Sequence, residues 1–103
     1  MADLSFTSLV KSKVYISNLD SANLEGADLT EARLNGATLR NANLIDATLI
    51  STVMSKSKLQ EIILDGANLK YTKFRGANLK KAKFNGIFMS FTDFSAADLT
   101  ESE

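Results

Sequence analysis

The sequence predicts an all-β coil that turns once every five residues. Three observations carry this prediction: a large apolar residue at every fifth position, a small residue two places before it, and glycine only two places after it. With the large residue called i, positions 4, 9, 14 and onward to 99 hold 14 Leu, three Phe, two Met and one Val. Positions i−2 hold 11 Ala, four Thr, three Ser and two Ile, the exceptions being Ile62 and Ile87. The phase runs unbroken from Ala2 to Glu101, which makes 20 consecutive pentapeptides. A repeat this regular is the first feature to explain in any chain.

The composition alone, rich in Leu, Ala, Asn and Lys, would suit an amphipathic helix, and the spacing rules it out. Five residues of α-helix rotate about 140° beyond a full turn, so the large residues would wander around every side. Coiled coils need apolar gaps of three and four, whereas here gaps of two and three alternate. A straight strand fails as well, because an odd period sends successive large residues to opposite faces. The chain must therefore bend once per repeat, with i−2 and i both pointing inward between bends. All five glycines (Gly26, Gly36, Gly66, Gly76, Gly86) fall at i+2, where a corner needs backbone freedom. Their separations of 10, 30, 10 and 10 predict two alternating kinds of corner, and so an even number of sides, two or four.

Units such as Ala22-Asn23-Leu24-Glu25-Gly26, Ala27-Asp28-Leu29 and Ala97-Asp98-Leu99 resemble the pentapeptide-repeat family, whose motif is A-(D/N)-L-x-x. The resemblance covers all but Met1, Ser102 and Glu103, as a single domain over 2–101. It implies a right-handed, four-sided (quadrilateral) β-helix solenoid with coils at 2–21, 22–41, 42–61, 62–81 and 82–101. At about 4.8 Å per coil these would stack into a rod roughly 24 Å long. In that register Leu19, Leu39, Leu59, Leu79 and Leu99 line one side, and Val14, Leu34, Met54, Phe74 and Phe94 another. Each coil buries its large residues only because its neighbour covers them. Phe74, Phe84 and Phe94 are core filling in this reading, and local widening is expected at Ile62 and Ile87. With one residue before the first repeat and two after the last, no capping helix is expected.

Composition narrows the chemistry. The 103 residues carry 12 Lys plus Arg against 12 Asp plus Glu, with no His, Cys, Trp or Pro. Without Cys and His the usual zinc, iron–sulfur, haem and copper ligand sets are missing, and so is the commonest general base near neutral pH. No phosphate-binding glycine loop or calcium loop occurs. The expectation is a non-enzymatic chain with no cofactor and no metal. The longest apolar run is three residues, far short of the about 20 that span a membrane, so a soluble cytoplasmic protein is expected. Asp3, Asp28 and Asp98, at i−1, are expected to be solvated repeat residues.

Counted by coil, net charge is 0, −1, 0, +4 and −2. Lys70, Lys73, Arg75, Lys80, Lys81 and Lys83 form the one dense cluster, expected to be a solvated collar or, failing that, a partner surface. Apolar residues that the repeat does not require are Phe6, Val10, Tyr15 and Ile16 at the N-terminal end, Ile45, Ile50, Val53 and Ile63 in the middle, and Phe88 and Phe91 at the C-terminal end. With open backbone edges at both ends, the terminal groups predict end-to-end association, as a homodimer through one like pair of ends or through a flanking domain, the C-terminal end favoured. The function expected is an interaction or scaffold module with a protein partner, without nucleic acid or membrane. The alternative comes from the resemblance, since some family members mimic duplex DNA and inhibit or protect type II topoisomerases such as DNA gyrase.

Overall fold

Parallel bridges join each repeat to the one twenty residues later, beginning with Asp3 to Asn23, Ser8 to Asp28, Lys13 to Arg33 and Asn18 to Thr38. Four bridges per coil give four sides, so the computed structural model, which describes residues 2–103, is a right-handed quadrilateral β-helix. We number the sides by their inward residues: side 1 from Leu4, side 2 from Leu9, side 3 from Val14 and side 4 from Leu19. The strands shrink to one bridging residue each, at i−1, because the chain turns before a longer ladder can form.

Each repeat of the three inner coils disposes of its amides in a fixed way. The N–H of i donates to the carbonyl of i−1 in the next coil, as Leu44 does to Ile63 at 2.7 Å, and the N–H of i+2 donates likewise to i+1, as Asp46 does to Asp65 at 3.0 Å. The N–H of i−1 returns to the previous coil, as Asn43 does to Ala22 at 3.0 Å, and the N–H that opens the following repeat closes the corner, as Ala47 does to Leu44 at 3.1 Å. Only the N–H of i+1 is left over. Where Asp or Asn stands at i−1, its side chain takes it: Asn23 Oδ1 accepts from Glu25 N–H at 3.1 Å, Asn43 from Ile45 at 3.0 Å and Asp28 from Thr30 at 3.0 Å. Asp and Asn at i−1 thus serve the backbone as well as facing solvent, and Asp3 and Asp98 serve Ser5 and Thr100 in the same way.

The corners correct one expectation. All twenty i+2 residues have positive φ, from 53° at Ile16 to 73° at Gly66, and fifteen of them are not glycine. Glycine therefore does not mark a second kind of corner: every corner has the left-handed third residue of a type II turn. At two of the five glycines, Gly26 and Gly66, the preceding coil leans across and leaves no room for a side chain. A Cβ on Gly26 would lie 2.5 Å from the ring of Phe6, and one on Gly66 would collide with the carboxylate of Asp46.

Inside, the leucines of coils two to four are fully enclosed, as are Met54 and Phe74. Phe74 and Phe94 stack at 5.1 Å between ring centroids, and Phe84 meets Phe94 edge-on at 5.9 Å, so the three phenylalanines fill core as expected. Thr52 and Thr72 are buried with their hydroxyls donating to Leu29 and Leu49 carbonyls one coil below, at 2.7 and 2.6 Å. Ile62 is also fully buried, and the ladder bonds flanking it are both 3.0 Å, so its bulk does not break the coil. The overall extents, 29 × 26 × 25 Å, make a block about as wide as it is long rather than a rod.

Candidate interaction surfaces

Because the ladder consumes the backbone, the sides recognise partners only through side chains at i−1, i+1 and i+2. Sorting charge by side changes the picture drawn from coils. Around side 3, the central column holds Lys13, Arg33 and Lys73, the corner before it Lys11 and Lys70, and the corner after it Lys56 and Arg75. All seven are exposed, and only Glu31 and Asp93 offset them. The corner between sides 1 and 2 carries Glu25, Asp46 and Asp65 on successive coils and no cation. Charge thus runs along the axis more than around it. Counting by coil hid this, since each coil averages over all four sides.

The six collar residues are not brought together. Lys70 lies over the Tyr71 ring, 5.7 Å from its centroid, while Lys73 and Arg75 flank Asp93 on side 3. Lys80 pairs with Asp98 at 3.8 Å on side 4. Lys81 and Lys83 line an open groove of about 450 Å³ with Glu61, Glu101 and Glu103.

The end candidates also sit differently from expectation. Phe6, Ile16 and Phe91 occupy corners, Val10 and Tyr15 the positions just before corners, and Phe88 the outward column of side 2. They face sideways near the ends and border the end surface rather than forming its centre. That centre consists of the terminal coils' own inward residues, which sequence reasoning assigned to the core: Met89 is 57% exposed and Leu99 40%. Their signal was available, because an inward residue is covered only when a further coil follows. At the C-terminal end the sideways residues do gather. Phe91 stacks on Tyr71 at 5.3 Å, and Phe88 and Met89 border a groove of about 490 Å³ with Lys70 and Asn68. The corner at Ser90 and Phe91 also lacks the closing bond that most other corners have.

Four carboxyls are held below the usual range. Hydroxyl and then amide donation from Ser5, Ser95 and Thr100 lowers Asp3, Asp93 and Asp98 respectively, and the Arg40 guanidinium, at 2.6 Å, lowers Asp20. A carboxyl depressed in the folded state stabilises above its unfolded pKa and loses that contribution as pH falls through the folded value. Thermal melts should be flat from neutrality to about pH 5 and decline below about pH 4. In Asp20→Asn the acid decline should be shallower, and an identical acid limb would show that the pair with Arg40 contributes nothing.

Among the described residues, no cluster of His, Cys, Asp or Glu could hold a metal ion, and no helix is long and apolar enough to cross a membrane. The family model for pentapeptide repeats matches residues 17–55, 49–86 and 72–103. Among solved structures, HetL, a protein involved in heterocyst differentiation regulation from the cyanobacterium Nostoc sp. strain PCC 7120, is 26% identical with a TM-score of 0.82. A trypsin-treated point variant of QnrB1, a plasmid-mediated fluoroquinolone resistance protein, is 26% identical with a TM-score of 0.90. Each alignment covers 98% of this chain but only 50% of HetL and 52% of QnrB1, so the chain spans about half the length of either. A pentapeptide repeat protein from Nostoc PCC 7120 is 28% identical with a TM-score of 0.80, over 94% of this chain and 84% of that one. No curated protein matches. With the repeat register, the four-sided ladder and the family model agreeing over most of its length, the chain belongs to the pentapeptide-repeat family.

Proposed function

We propose that this chain is a non-enzymatic interaction or scaffold module that works in the cytoplasm through protein contacts, including contacts with a second copy of itself. The observation that carries the reading is the apolar surface of the last coil. Phe88, Met89 and Phe91 are 67%, 57% and 79% exposed, and they adjoin one another on side 2 and its corner. Adjoining apolar groups of this size mark contact surfaces more often than scattered ones do. Met89 and Leu99 supply the centre of an end-on contact, and Phe88 and Phe91 its rim. Sedimentation over a wide concentration range should reveal a dimer that Phe88→Glu combined with Phe91→Glu dissociates. A monomer at every concentration would remove the self-contact.

A second reading, inhibition or protection of a type II topoisomerase by DNA mimicry, is favoured by the acidic corner of Glu25, Asp46 and Asp65, repeated at the coil spacing. Weighing against it, the opposite side carries an excess of cations, which duplex DNA does not. Gyrase supercoiling with excess protein separates the readings: unchanged supercoiling fits the interaction module, and inhibition the mimic.

A further inference from the structure

The long basic side is built at a cost. Lys13 and Arg33 are direct bridge partners on adjacent coils, about 4.8 Å apart along the stack, and like charges placed so are destabilising. Of the seven cations around side 3, only Lys11 reaches a carboxylate within ion-pair distance, Glu31 at 3.7 Å. Arg40, by contrast, is paired with Asp20 both through its side chain and through its backbone N–H. Side 3 therefore holds positive charge that the fold itself leaves uncompensated.

We propose that side 3 is a docking face for an acidic segment of a partner protein. The inference rests on the interaction reading and names the chemistry of the partner. Lys11, Lys13, Glu31, Arg33, Ser51 and Val53 line an open groove of about 490 Å³ along the first three coils. Carboxylates entering it meet Lys13 and Arg33 on one line, and Val53 continues that line as a half-buried apolar step. A segment mixing acidic and apolar side chains matches this order. Glu31, paired with Lys11, opposes carboxylate and phosphate alike; nucleic acid matches the column less well because an unbroken run of phosphates along the axis would meet apolar Val53 in the third coil and Asp93 in the fifth. The aromatic face of Tyr71 that a base could use is already stacked on Phe91.

The test compares two exposed double reversals of equal charge, Lys13→Glu with Arg33→Glu on side 3, and Lys81→Glu with Lys83→Glu outside it. Fluorescence anisotropy at low salt measures binding of a labelled peptide of alternating glutamate and leucine, and in parallel of a DNA duplex. The peptide should bind the native chain, weaken as salt rises, and lose about tenfold or more in affinity only with the side 3 reversal. Lys13→Glu alone, which sets opposite charges on the Lys13 and Arg33 positions, should raise the melting temperature while weakening the peptide. Equal losses from both double reversals, tighter binding of duplex than of peptide, absence of peptide binding, or a lowered melting temperature for Lys13→Glu would each overturn the proposal. Sedimentation of the native chain is the separate gauge of the interaction reading: peptide failure with the dimer intact removes side 3 as the docking face and leaves that reading standing.

Discussion

Leu44→Asp, or Leu49→Asp, should abolish folding. Both leucines have no exposed surface, and each lies in the middle coil with covered coils above and below. Truncating such a residue to alanine costs about 3–5 kcal/mol. An aspartate there adds a carboxyl in an apolar column with no partner, at a further cost of several kcal/mol whether it stays charged or takes up a proton. Net stabilities of domains are about 5–15 kcal/mol, so little or nothing remains. Far-UV circular dichroism should show an unfolded chain with no urea transition, and a cooperative transition like that of the native protein would mean that these side chains do not point inward.

Ile62→Ala should cost about 2–5 kcal/mol, the range for emptying a fully buried aliphatic site. The converse change at an equivalent position, Ala47→Leu, should cost about 1–3 kcal/mol by overpacking, since Ala47 is buried among neighbours already in place. The pair tests whether each coil is packed to its own volume. Urea titration gives both values. If Ile62→Ala were neutral, the fourth coil would have to collapse onto the space, and the stacking of Phe74 in that coil would be expected to change.

What was legible in the sequence follows from what repeats. The period of five and the inward columns depend on every repeat obeying one rule, so twenty copies wrote that rule plainly; the number of sides, which the glycine spacing left at two or four, came from the family resemblance. The aromatic core of Phe74, Phe84 and Phe94 was readable for the same reason. Glycine misled because its positions were ascribed to backbone conformation, whereas Lys11, Glu31 and Tyr71 adopt the same positive φ. What sets Gly26 apart is the Phe6 ring lying across it, a contact between residues one coil apart. Asp and Asn at i−1 were visible as a preference, but their task showed only once every other amide in the repeat had a partner. Charge was hardest to read, because function lives on single sides and a linear sequence visits all four sides before returning to the first. Lys13, Arg33 and Lys73 become neighbours in one column only when the chain is wound at twenty residues per coil.

The winding itself is open to direct measurement. Scalar couplings transmitted across hydrogen bonds, observed by NMR on isotope-labelled protein, identify the donor nitrogen and the acceptor carbonyl of each bond. The structure predicts couplings from the amide of Leu24 to the carbonyl of Asn43, from Leu44 to Ile63, and from Asn68 back to Ala47, each across one coil. Couplings from these amides to carbonyls four residues earlier, as in an α-helix, or to partners at any other separation, would contradict the four-sided coil and every surface derived from it.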